Sequence, residues 1–557
     1  MIHNCISTTN LSVIINGEPT LTFYPQRGIK QGCPLSPYLF IIAINELATC
    51  LQNHSREHNI TGITLGPNCP KIHALLFADD LIICGQATKE EADRINYILH
   101  SFCSASGQTP NFAKSSITFS KGVDQNTRLL IKTIFPVPDL RPNAIYLGHP
   151  LIFSHNDRSK AYEFIINKFK PKLTTIKANK LNHAGRLVYI NSVLASIPMY
   201  YMSTILFFEE FIDRINMIIR KFWWSRVKED NSSTSFSFRS WKDICRPKAE
   251  GGLGIRDLQI VNRSLIVHAA WNIATGKNPY LTSILKSKYF ANTSFWLASS
   301  TPIKSAFWSS ILQVKKILVD NCIIQIHKGD SSIWSTPWCP IWNQIHDHIK
   351  LPVTDRMPVT ISDLWNNNTH HWDFNFISQI FDSNATSQIC STQIVPSNKS
   401  DIITWKPATK GICSAKEAFK FLNQQMQVPR PTQGARGITD EAMNILRRMW
   451  KHKMLPPNIK TFGWRLIRKA IATGARAGNL SSRISKQCDR CNDMENDAHL
   501  FFHCSFARAV WFSSNTPIYT SMLPIEQDGV EEILAGIITS NTSEQQMQRI
   551  MTTLWYL

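Results

Sequence analysis

Four residues near the C-terminal end, Cys488, Cys491, His499 and Cys504, constrain this chain more than any other feature. The pattern Cys-x2-Cys-x7-His-x4-Cys has the residue types and spacing of a Cys3His zinc site. Thiolates and an imidazole at ~2.0–2.3 Å from a zinc ion would close a tetrahedron with no open position, so the metal reads as structural. His503 is an alternative ligand, less well placed beside Cys504.

The other cysteines, out of 14 in 557 residues, are scattered, several within apolar runs (Cys84, Cys103, Cys390). That is not the dense framework of a small disulfide-bonded secreted domain, so a reduced, intracellular protein is expected. Hydrophobic residues make up 43% and charged residues 18%, which excludes wholesale disorder. No apolar run reaches the ~18 residues of a membrane helix, so no membrane partner is expected. The N-terminus lacks the charged-then-apolar pattern of a signal peptide.

Lys and Arg number 60 against 40 Asp and Glu, a net charge of +20. Such an excess points to a polyanion, most simply nucleic acid; a generally basic surface is the plain alternative. The charge is unevenly spread. Residues 1–120 hold seven Lys and Arg against eight Asp and Glu, whereas 151–290 hold 22 against 10 and 440–490 hold 12 against three.

In the near-neutral first part, Gly28, Gly32, Pro34 and Pro37 punctuate a loop. Ser36 is expected to cap a helix with Pro37 at its first position, followed by Leu39, Phe40, Ala43, Ile44 and Leu47 at helical spacing. Residues 72–85 have two short apolar runs flanking Ala78-Asp79-Asp80, which predicts strand, turn, strand. A helix over 88–104 follows, with Thr88 and Glu91 as a capping box. Residues 107–120 read as loop then strand, 158–228 as mostly helix, and 257–275 as a helix after a glycine-rich turn. Polar linkers are expected at 231–240 and 424–440.

Asp79 and Asp80 are the only adjacent aspartates in the chain. Two carboxylates between apolar strands are too costly to bury unpaired. They are solvated in a turn, paired with a base, or bound to a cation, for which Mg2+ is the natural hard ion.

The surrounding blocks carry a resemblance. Arg27 to Phe40 (RGIKQGCPLSPYLF), Phe77-Ala78-Asp79-Asp80, Ser106-Gly107 through Asn111 to Lys114-Ser115, and Tyr146-Leu147-Gly148 follow one another at the spacing of a reverse transcriptase palm. Among these enzymes the chain resembles the plant LINE-type (non-LTR) retrotransposon group. Trp450–Arg465 and the stretch from His499 to Trp511 are similar to the zinc-binding domain of the same proteins. One departure is Ile471-Ala472-Thr473, where the family usually has Leu-Pro-Thr.

The resemblance implies an α+β fold: an N-terminally truncated palm of antiparallel sheet and helices (1–150), a helical, basic thumb (151–290), a Trp-rich connector (291–423), a zinc-binding domain (424–515) and a helical tail (516–557). It implies RNA-directed DNA polymerisation on an RNA template and DNA primer. In that reading Asp79 and Asp80 ligate catalytic Mg2+, and Arg27, Gln31, Gly32, Pro34, Ser36 and Lys114 contact the nucleotide or template. Lys168, Lys170, Lys172, Arg186 and Arg220 would track duplex phosphates. Trp223-Trp224 reads as core packing rather than a base platform. The family's upstream catalytic Asp lies in a block before RG-x-x-QG; residues 1–78 here contain no aspartate, and Glu18 is a poor substitute. Two-metal transfer needs more than one adjacent carboxylate pair, so impaired catalysis is expected, with a non-enzymatic RNA- or DNA-binding remnant as the rival reading. Family analogy points to the nucleus.

Overall fold

The computed structural model describes the chain except for residues 1–6, 26–27, 31, 58–59, 68, 143, 152–160, 175–179, 225–236, 351–356, 367–370, 427–437, 517 and 524–528. Two compact units emerge: residues 1–152 with 276–299, and residues 153–275 with 300–557. Both mix helix with short strands, and the strands among the described residues lie in two-stranded antiparallel pairs.

The first unit is built on two helices. Helix α1 (Ser36–Arg56) carries Pro37 in its first turn and buries Leu47 and Leu51. Helix α2 (Lys89–Ser106) buries Ile95 and Ile98 and ends at Gly107, whose φ of 71° is a left-handed C-cap. Leu47, Leu51, Ile60, Ile95 and Ile98 form one small core, with Leu81 and Ile83 of a hairpin packed against it. That hairpin pairs β1 (Ala74–Phe77) with β2 (Asp80–Ile83).

Two capping expectations change. Leu35, not Ser36, occupies the N-cap position of α1 and makes no side-chain cap. The Ser36 hydroxyl instead donates to the Lys30 carbonyl at 2.6 Å, closing the preceding turn. Thr88 does cap α2, accepting from the Glu91 amide at 3.3 Å. The Glu91 carboxylate, however, is buried and accepts from the Thr61 amide at 2.9 Å, fastening a distant loop. The strand expected near 117 is a single bridge from Ile117 to Asp139. A second hairpin, β3 (Ile145–Tyr146) with β4 (His149–Pro150), turns through Leu147 and Gly148 at φ 48° and 80°. Both left-handed positions are the demand of a two-residue hairpin turn.

The second unit has a continuous hydrophobic core. Helices α3 (His183–Tyr189), α4 (Glu209–Trp224) and α5 (Leu258–Ala274) supply its N-terminal part. Helices α6 (Asp440–Lys451), α7 (Pro457–Ile467), α8 (Ser505–Ser513), α9 (Val530–Ile537) and α10 (Glu544–Tyr556) supply the rest. One core therefore crosses the boundaries drawn at 423 and 515, and the C-terminal tail is part of it. Trp223 is fully buried and meets Trp464 edge-to-face at 6.5 Å, so it packs as expected. The glycine-rich turn brings backbones together: the Trp464 indole donates to the Gly251 carbonyl at 2.9 Å, and a Cβ on Gly252 would lie 2.0 Å from the Arg246 carbonyl oxygen.

In the Trp-rich stretch, β5 (Cys322–Gln325) pairs with β6 (Ile402–Trp405). The Gly329-Asp330-Ser331 loop gains a structural meaning that its sequence did not disclose. The Asp401 carboxylate accepts the amides of His327, Gly329 and Ser331 at 2.7–2.9 Å, and Asp330 accepts the Asp401 amide at 3.0 Å. Gly329 is required there, at φ 72° with the Trp365 ring 2.4 Å from an added Cβ.

Candidate metal centres and nucleic-acid interface

Register places the first candidate site. Phe77 pairs with Asp80, so Ala78 and Asp79 form a two-residue turn and Asp80 opens β2. Ala78 adopts φ 50°, a left-handed position that costs a non-glycine residue about 1–2 kcal/mol. Both carboxylates are exposed, and among the described residues neither is hydrogen-bonded or ion-paired. They project from the apex of a short hairpin with no cation among the described residues satisfying them, a donor set suited to Mg2+ with added oxygen ligands. Tyr146 of β3 is close by: burial first, then the Asp80 charge, raises its phenol above the ordinary value. The spacing of the Tyr146 block along the chain carries no sign of this nearness to the carboxylates.

The loop residues are placed unevenly. Arg27 and Gln31 lie outside the described residues. Gly32 is exposed at φ 78° with open space where a Cβ would stand, so its backbone angle is what calls for glycine. Pro34 lies in the turn leading into α1, and Ser36 is the first residue of that helix. Lys114 is exposed on a turn held by Asn111, whose side chain accepts the Lys114 amide at 3.2 Å. Ser115 donates to the Asn111 carbonyl at 2.9 Å, which accounts for the Asn-x-x-Lys-Ser spacing.

In the basic region the structure separates the five nominated cations. Lys170, Lys172 and Arg220 are exposed. Lys168 donates to the Tyr201 hydroxyl at 2.7 Å and lies over the rings of Phe164 and Tyr201. Arg186 departs from the expectation. It is 5% exposed and donates to the carbonyls of Leu181, Phe222 and Trp223. Its charge sits at the carbonyl end of α4, where the helix dipole favours a cation, so its role is to hold α3 against α4.

The cysteine–histidine cluster assembles as its spacing predicts. The ligand atoms of Cys488, Cys491, His499 and Cys504 all lie within 4.8 Å of one another. Tetrahedral arms of ~2.0–2.3 Å require edges of roughly 3.3–3.8 Å, and Cys491 Sγ stands 3.1 Å from His499 Nε2. A tight knuckle positions the first pair: the Cys488 amide donates to Asp493 at 2.7 Å, the Asn492 amide donates back to Cys488 at 2.9 Å, and Asn492 adopts φ 67°. The Asn496 side chain accepts the His499 amide at 2.7 Å. A π turn over His499–His503 then delivers Cys504, whose amide donates to the His499 carbonyl at 2.8 Å.

Electrostatics favour a cation here. Burial opposes ionisation of Cys504, yet the amides of Phe506 and Ala507 at the start of α8 and the neighbouring cysteines outweigh it, and its thiol lies below the ordinary value. The Asp493 amide favours the Cys491 thiolate, but burial and the adjacent Cys488 and Cys504 sulfurs push it up to about 11. Crowded sulfurs that resist a second negative charge are what a dication relieves. The residues present therefore fit structural zinc. The Ile471-Ala472-Thr473 turn is tied to this knuckle: Glu495 accepts the Gly474 amide at 2.7 Å, and Arg476 bridges the Ile471 carbonyl to the buried Asp497 carboxylate.

Comparison with known proteins finds two family matches in this chain. Residues 1–151 match the family described as reverse transcriptase (RNA-dependent DNA polymerase), and residues 414–511 match the one described as zinc-binding in reverse transcriptase. A protein of Arabidopsis thaliana named after ribonuclease H is 26% identical over 357 residues, 62% of this chain and 54% of that one. An uncharacterized mitochondrial protein of the same plant is 44% identical over 70 residues, 13% of this chain and 57% of its own length. The Pol polyprotein of the type-1 retrotransposable element R2 of Popillia japonica is 38% identical over 82 residues, 15% of this chain and 12% of that protein. The chain thus spans about half of the first of these relatives. Among the described residues no helix is long and apolar enough to cross a membrane. The chain thus carries one region similar to reverse transcriptases and one similar to their zinc-binding segment, and shares short stretches with the Pol polyprotein of a retrotransposable element.

Proposed function

We propose that the chain handles nucleic acid in the manner of a LINE-type reverse transcriptase, with an RNA template and a DNA primer as its partners. The observation that carries this reading is the pair of unpartnered carboxylates at the β1–β2 turn, inside the segment that matches reverse transcriptases. Asp79 and Asp80 would hold Mg2+, which in this chemistry activates a primer 3′-hydroxyl and stabilises the leaving oxygen. The protein's part is to fix the two carboxylates on a short hairpin braced by α1 and α2. Lys170, Lys172 and Arg220 would contact backbone phosphates without reading sequence. Zinc at Cys488, Cys491, His499 and Cys504 would hold the basic C-terminal region in shape. Family likeness makes the nucleus the proposed compartment.

Polymerisation by this chain alone is proposed to be impaired. Residues 1–78 offer no aspartate to complete a two-metal site, which keeps the binding-remnant reading open for the isolated chain. The test is primer extension on a homopolymer RNA template with Mg2+ or Mn2+. The expected result is no robust incorporation. Robust incorporation that Asp79→Ala abolishes would overturn the impairment while supporting the metal assignment.

A further inference from the structure

Helix α8, which follows the last zinc ligand, has surface chemistry that the metal site does not use. Ala507 and Trp511 face inward and are fully buried. Arg508 and Phe512 stand one turn apart on the neighbouring stripe, both exposed. Phe512 is 75% exposed and Tyr519 63% exposed. Isolated exposed rings are ordinary on a protein surface, but these two share a concavity of about 320 Å3 with Arg508, Ile518 and Ser521. Among the described residues no carboxylate pairs with Arg508, and the Ser521 hydroxyl has no partner. From His499 to Leu523 the chain contains no Asp or Glu.

The geometry points to a base-stacking site for single-stranded RNA, formed by Phe512 and Tyr519 with Arg508 for an adjacent phosphate; this rests on the nucleic-acid reading above. Two solvent-facing rings with one guanidinium that no described carboxylate pairs match a ligand that has both an apolar π-face and an anionic backbone. A duplex presents only base edges, so stacking of this kind selects unpaired bases. The absence of acidic residues, beside a 440–490 segment with 12 basic and three acidic residues, gives charge complementarity to a polyanion. Ser521 on the rim offers a hydroxyl partner for a ribose 2′-OH, which favours RNA over DNA.

The test uses the full chain, zinc-loaded, and a fluorescein-labelled unstructured 12-nucleotide RNA in anisotropy titrations. A DNA of the same sequence and an RNA duplex serve as comparison probes. Phe512→Ala/Tyr519→Ala is expected to weaken single-stranded RNA binding by roughly five- to a hundredfold. Duplex affinity and zinc content are expected to stay within about twofold of the parent. Arg508→Ala is expected to flatten the dependence of log affinity on log salt by about 0.7. Single-stranded RNA affinity unchanged in the double variant would overturn the site. Equal losses on the DNA strand would overturn the preference for RNA, and equal losses on the duplex would overturn stacking. A parent chain that binds none of the probes would fail the nucleic-acid reading itself; binding of all probes with no variant effect fails the stacking site alone.

Discussion

His183 shows how far burial carries a residue from its type. Its ring meets Trp223 edge-to-face at 5.2 Å, and Arg465 Nη1 is 3.3 Å from its Nδ1. Burial, then the charges of Arg465 and Arg186, pushes its pKa down to about 3. In the unfolded chain the imidazole takes up a proton near pH 6.5, well before the folded form does. The neutral ring therefore contributes stability fully above about pH 6.5, and that contribution is lost as pH falls toward 3. The largest slope from one such group is about 1.4 kcal/mol per pH unit. Urea denaturation at pH 7, 5.5 and 4.5 should show a shallower loss for His183→Gln than for the parent. Acid release of zinc is common to both chains, so the difference isolates the histidine; identical slopes would refute the assignment. The cluster of Cys488, Cys491, His499 and Cys504, by contrast, was legible because its geometry is local. Cys488→Ser should reduce bound zinc, read by atomic absorption, from one per chain to near none and lower the melting temperature. Arg186 was not legible: what satisfies it are carbonyls 36 and 37 residues away, on the last turn of α4.

At the scale of elements, periodicity revealed several helices and the β1–β2 hairpin but not how their ends are tied. The β1–β2 hairpin was readable from two short apolar runs with a carboxylate pair between them. The true partners of Ser36 and Glu91, the Lys30 carbonyl and the Thr61 amide, depend on how loops fold back and leave no local signal. The glycine-rich turn at 251–254 makes the same point quantitatively. A Cβ on Gly252 would meet backbone, the Arg246 carbonyl oxygen at 2.0 Å, which cannot rotate away. Gly254 has φ 69°, yet an added Cβ would meet nothing closer than Lys248 Cγ at 3.7 Å. Gly254→Ala should therefore cost only the left-handed strain, about 1–2 kcal/mol. Gly252→Ala should cost more, about 1–3 kcal/mol from overpacking and further loss if the Trp464–Gly251 hydrogen bond breaks. Urea midpoints of the two variants check the order; a Gly252→Ala chain as stable as Gly254→Ala would mean the turn relaxes freely.

For the second compact unit, the unexpected result is that its C-terminal helices complete a core begun hundreds of residues earlier. Sequence reading made residues 516–557 a helical tail, because amphipathic spacing shows a buried face without showing what buries it. Met547, Ile550, Met551 and Leu554 of α10 are all nearly inaccessible, and Trp555 meets Phe462 of α7 edge-to-face at 5.3 Å. The last residue reaches further: Leu557 packs against the cluster of Cys488, Cys504 and Ala507. Two changes at this end should then separate. Leu554→Ala removes a fully buried side chain and should cost about 2–5 kcal/mol, with zinc content unchanged in the folded fraction. Removing Leu557 alone should cost less stability but uncover the sulfurs, so a chelator should strip zinc faster than from the parent at equal temperature. Zinc release to a chromophoric chelator, followed in both variants beside urea denaturation, measures the two effects separately. If both variants lost zinc in step with their stability, Leu557 would be one more core side chain rather than a cover for the metal site.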